Sequence, residues 1–72
     1  MERKFLASYQ STTFDSFSKH TNFHTLTLTL DDIESEKQIP LKVLKIIQEH
    51  ENEKYSSDFL PDVMLINFWE ID

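Results

Sequence analysis

The chain has 72 residues, no cysteine, no glycine and a formal net charge of −6. That length supports one small domain, residues 1–72, and the missing cysteine excludes disulfides and thiolate metal sites. Without glycine, phosphate-cradling loops and dinucleotide fingerprints lose the residue that lets the backbone approach a phosphate closely.

The charge is unevenly spread, at +1 through Leu30 and −7 from Asp31 onward. Such a balance opposes binding to a nucleic-acid backbone and suits a basic protein surface. No apolar run approaches the ~20 residues that span a bilayer. The start, Met1-Glu2-Arg3-Lys4-Phe5, lacks the apolar core of a signal peptide. The expectation is a soluble, cytoplasmic protein.

Lys4 to Gln10 reads as a first strand, with Phe5, Ala7 and Tyr9 on one face and Leu6, Ser8 and Gln10 on the other. Ser11 to Asn22 is polar apart from Phe14 and Phe17. It forms either a long hairpin connection or two strand extensions around a turn near Asp15 to Lys19. Phe23 to Leu30 is the clearest element. Leu26, Leu28 and Leu30 alternate with Thr25, Thr27 and Thr29, which lines the leucines on one face of an extended chain.

The acidic run Asp31 to Lys37 fits a single helical turn or an irregular loop. A helix is expected from Pro40, a favoured first-turn residue, through about Glu53. At 100° per residue, Pro40, Val43, Leu44, Ile47 and His50 share one side, with Ile46 at its edge and Leu41 outside it. Glu53 to Asp58 is a polar connection, and Val63 to Ile71 is a third strand whose apolar run suits a central position or two covered faces.

This order predicts an α+β fold: a three-stranded sheet (ββαβ) with one helix on one face. The second and third strands run the same way, joined by a right-handed crossover. Leu26, Leu28 and Leu30 are expected to face Val43, Leu44 and Ile47. One helix covers only one sheet face. The third strand nevertheless places Val63, Leu65, Trp69 and Ile71 on one side and Met64, Ile66 and Phe68 on the other. The second face is therefore either closed by Phe14 and Phe17 folding inward or meets another chain. The candidate partner surface is Tyr9, Phe14, Phe17, Met64, Phe68 and Trp69, with Asp31, Asp32, Glu34 and Glu36 as acidic contacts.

No catalytic constellation emerges, and the expectation is a protein that is no enzyme and needs no cofactor. His20 and His24 sit four apart in a loop-to-strand segment, too far apart when extended to chelate a metal readily, so no metal site is expected. His50 lies on the apolar helix side and reads as a partly buried, hydrogen-bonded residue. Asp31-Asp32 and Glu49-x-Glu51-x-Glu53 read as solvated surface charge. The Asp31 to Glu36 run lacks the glycine and ligand spacing of an EF-hand.

In its pattern the whole chain resembles short, acidic, cysteine-free accessory proteins of phages and prophages. The shared features are a strand near residue 4, a Ser/Thr loop, one helix and a closing Val-Met-Leu-Ile-Asn-Phe strand. The missing glycine departs from many hairpin-containing examples. The resemblance implies stoichiometric binding to a host or defence component, and the leading expectation is a small inhibitor or adaptor in the host cytoplasm, such as an anti-CRISPR-like factor. It carries over no functional residue. Two alternatives stand beside that reading. One is a DNA mimic occupying a nucleic-acid-binding site, and the other is a subunit that assembles with itself, as in a homodimer.

Overall fold

The computed structural model describes residues 2–14, 17–55 and 60–71. Two long strands, β1 (Arg3–Phe14) and β2 (Lys19–Leu30), pair antiparallel along their full lengths, from Arg3 with Leu30 to Phe14 with Lys19. The strands thus extend through the Ser/Thr-rich segment. Asp15 and Ser16, within the expected turn, lie outside the described residues.

After β2 the chain runs irregularly through Asp31–Ser35 into a 3₁₀ turn at Glu36–Gln38. The Ser35 hydroxyl accepts from the Lys37 backbone N–H at 3.3 Å, an N-cap contact that starts the turn. Asp32 adopts φ 54°, a left-handed conformation that aspartate tolerates better than most side chains and that this chain has no glycine to supply.

The helix α1 (Ile39–Asn52) follows, with Pro40 in its first turn, and β3 (Asp62–Ile71) closes the fold. Strand order is β2-β1-β3, and both outer strands run antiparallel to β1. They therefore point the same way, with β1 between them. The third strand is an edge, so a central position does not explain its long apolar run.

A bulge does. The β1–β3 ladder pairs Ser8 with Asn67 and Tyr9 with Leu65, leaving Ile66 as an extra residue. The alternation slips there by one residue. Val63, Leu65 and Phe68 all pack against the core, while Trp69 moves to the opposite face with Met64. Phe68 and Trp69 therefore exchange the faces that strict alternation assigns them. Because the bulge sits on an edge strand, no second ladder is disturbed. Deleting Ile66 is expected to restore a regular ladder with every other side chain on its present face. Chemical denaturation of that deletion should shift stability by under about 1 kcal/mol, well below the usual cost of damage to a packed element.

The core is Phe5, Ala7 and Tyr9 from β1, Leu28 and Leu30 from β2, and Ile39, Val43 and Ile47 from α1. The helix buries positions four apart, Ile39, Val43, Ile47 and Glu51. Its inward stripe is thus rotated from the one built on Pro40 and His50; Pro40 is exposed and His50 half-buried. Leu44 and Ile46 flank the stripe, half-buried, and Leu41 stays exposed. The Gln48 side-chain amide donates to the Pro61 carbonyl and to Asn52 Oδ1, both at 2.9 Å, which ties the helix end to the start of β3.

A 14-residue helix is about 21 Å long, against roughly 40 Å for a 12-residue strand. The end of the hairpin beyond Tyr9 and His24 therefore projects past the helix. The long axis is 45 Å, and the radius of gyration of 13.4 Å exceeds the roughly 11 Å of a compact chain this size.

Candidate functional site

Two features stand out: a bare sheet face and a buried polar cluster. The face opposite α1 is built from the even-numbered residues of β1 and their ladder partners. Leu6 pairs with Thr27 and Trp69, Gln10 with Phe23 and Met64, and Lys4 with Thr29 and Ile71. Met64 is 60% exposed and Trp69 45%. Phe14, Phe23, Ile66 and Ile71 are also exposed. The apolar groups run down β3 and Leu6. Thr21, Thr25, Thr27 and Thr29 make the β2 half, where branched side chains pack well on a pleated surface.

Charge is sparse on this face. Register places only Lys4, Lys19 and Asp62 there among the described residues. Hydrogen bonds tie its hairpin end, with Gln10 Nε2 donating to Thr12 Oγ1 at 3.4 Å and the Thr12 and Thr21 hydroxyls 3.4 Å apart. A shallow depression of about 240 Å³ between Gln10, Thr12, Phe14, Lys19, Asp62 and Met64 opens on it. A second, of about 260 Å³, lies between Thr29, Asp31, Lys42, Lys45 and Glu49 on the helix side. Both fall below the roughly 300–1,000 Å³ of ordinary small-molecule sites.

Of the expected surface residues, Phe14, Met64 and Trp69 share the open face. Phe17 lies at the hairpin tip and is almost fully exposed, so neither Phe14 nor Phe17 completes the core. Tyr9 and Phe68 do not belong to the surface. Tyr9 is 1% exposed on the helix side, and the bulge turns Phe68 against Phe5, ring centroids 6.2 Å apart. Asp31, Asp32, Glu34 and Glu36 are exposed at the other end of the connection, off the sheet face. Glu36 is engaged by Arg3, whose Nη1 lies 2.8 Å from its Oε1. The same guanidinium grips Glu70 through two hydrogen bonds of 2.9 and 2.7 Å, which holds the Glu70 carboxyl below its usual range.

The buried cluster centres on Glu51, whose side chain has 0% exposure. Glu51 is thus not solvated surface charge. Its Oε2 accepts from the Tyr9 hydroxyl and from Lys54 Nζ, each at 2.7 Å. His24, the ladder partner of Tyr9, stacks near it at 5.3 Å and brings Nε2 to 3.9 Å from Glu51 Oε1. Among the described residues Glu51 Oε1 and Ser11 Oγ are buried with no partner at full hydrogen-bond geometry, and the nearby Ser11 hydroxyl joins the groups that favour the charged carboxylate. Burial pushes the carboxyl up, but the Lys54 ammonium and the Tyr9 hydroxyl outweigh it and hold it below the ordinary value. The same burial and the carboxylate beside it raise the Tyr9 phenol.

Two signals in the sequence point to this cluster. Glu51 continues the four-residue row Ile39, Val43, Ile47, and an inward Tyr9 needs a partner for its hydroxyl. Its chemistry is that of a clasp between the helix end and the sheet. Among the described residues no group of three or more His, Cys, Asp or Glu is placed to hold a metal ion. Nor is any helix long and apolar enough to cross a membrane.

No family model, curated protein or solved structure matches this chain.

Proposed function

We propose that the chain is a protein-binding module that acts by docking rather than catalysis, with the sheet face opposite α1 as its contact surface. One observation carries the reading. Leu6, Trp69 and Ile71 form an apolar patch, continued past Asn67 by Met64, on a face that no described element of the chain covers. Exposed patches of this kind mark interaction sites, and Trp and Met are favoured where interfaces bury their centres. The acidic surface lies elsewhere. A basic partner would meet the Asp31–Glu34 end, separately from the apolar face. Inhibition of a host or defence protein is the form of binding that the phage-protein resemblance suggests.

The test compares the intact chain with Trp69→Ser and Met64→Ser in affinity capture, after circular dichroism has established that the variants fold. Protein partners, further copies of the chain included, should be retained by the parent and lost by both variants. Variants that keep every partner overturn the assignment of this face.

A further inference from the structure

We infer that the occupant of the open sheet face is a second copy of this chain, giving a helix–sheet–sheet–helix dimer. The inference rests on the docking reading above and names its partner.

Charge is the first argument. The chain carries −6 overall, yet its open face holds two lysines and one aspartate. Two copies meeting through this face keep the acids of α1 and of the Asp31–Glu36 connection out of the contact, where the repulsion between them is screened. A partner steered by basic charge would find little to attract it on this face.

Self-complementarity is the second. A two-fold axis across the strands lays the apolar β3 half on its own mate, so Met64 of one copy approaches the Trp69–Ile71 end of the other. The same axis places Lys4 over the strand end that bears Thr12 and Asp62, since Lys4 pairs with Ile71 at one end of the β1–β3 ladder and Thr12 with Asp62 at the other. The dimer thus gains two Lys4–Asp62 approaches, one at either end, while Lys19, at the Phe14 end of its own sheet, falls beyond Lys4 of its mate. Both faces are pleated sheets, and aligned sheets pack at about 10 Å with interdigitating side chains.

Area is the third. Three strands of this length cover roughly 40 by 14 Å. Two such faces remove slightly more than about 1,000 Å² from water, the threshold for a specific interface. Isologous pairing also closes the assembly, because each copy then has no second such face to offer.

Sedimentation equilibrium over a wide concentration range tests this. The intact chain should give twice its 8.6 kDa mass, and Met64→Asp and Thr25→Asp should each shift the dimer toward monomer by at least tenfold in Kd. Leu41→Asp, which changes an exposed apolar residue on the helix, should leave the dimer intact. Thr25 is an exposed polar position, so its variant tests the face without disturbing the core. A chain that stays monomeric throughout overturns the dimer. If Trp69→Ser still abolishes capture of a different protein, the docking face itself survives. A dimer that persists in both aspartate variants places self-association on another surface and overturns the inference.

Discussion

Ile47→Ala should lower the unfolding free energy by about 2–5 kcal/mol, the range for truncating a large aliphatic side chain in a packed core. Ile47 is fully buried in the helix row that shares one core with side chains of all three strands. Removing three of its carbons leaves a void that a single helix over a sheet closes poorly. An ordinary domain of this length has roughly 4–11 kcal/mol to lose. Urea denaturation followed by far-UV circular dichroism should therefore show a much earlier midpoint with little change in slope. The same change at the exposed neighbour Leu41 should cost under about 0.5 kcal/mol. Equal effects at the two positions would contradict the burial pattern of α1.

Glu51→Ala should cost about 3 kcal/mol. The change strands the buried Tyr9 hydroxyl, removes a charge-assisted hydrogen bond and opens space at the helix end. Lys54, half in solvent, can turn outward and adds little to that cost. Glu51→Gln keeps an acceptor for Tyr9 and should cost less than Glu51→Ala. The pH dependence separates charge from packing. The folded-state carboxyl lies below the ordinary value, so between the two the unfolded chain binds more protons and stability rises with pH. The Glu51 contribution is complete above the unfolded-state value near ~4.3 and is lost as pH falls through the folded-state value. Glu51→Gln should remove this part of the acid limb, so that the parent and variant curves converge at low pH.

Much of the architecture is legible in local pattern. The Thr/Leu alternation of β2 identifies its inward leucines, because a period of two tolerates no ambiguity over that many residues. Pro40 likewise marks the first turn of the helix. What escapes local pattern is decided by pairing. The bulge at Ile66 depends on how β3 lies against β1, and nothing in Val63–Ile71 alone announces the slip that sends Phe68 inward and Trp69 outward. The polar, Thr-rich stretch beyond Gln10 extends as strand because each half completes the other's ladder, a non-local gain. Glu51 was obscured for a third reason: a carboxylate on an apolar row becomes tolerable only when a phenol and an ammonium from elsewhere converge on it. The open face was foreseeable from the excess of large apolar side chains over what one helix covers. Its membership was not, since Tyr9 and Phe68 turn on the buried partner and the bulge.

The central place of β1 has a consequence for the order of assembly. Its first neighbour arrives by a short hairpin, which forms within microseconds. Its second comes from the far end of the chain, with Lys4 meeting Ile71. That closure spans nearly the whole sequence, and long-range pairing of this kind slows folding because the entropy of the loop is spent before any contact returns it. The hairpin and helix should thus wait on β3. During that wait Phe5, Leu28 and Ile47 have a lid but no third wall, and the rate-limiting barrier should respond to substitutions at Leu65 and Phe68 more than to any in the hairpin tip.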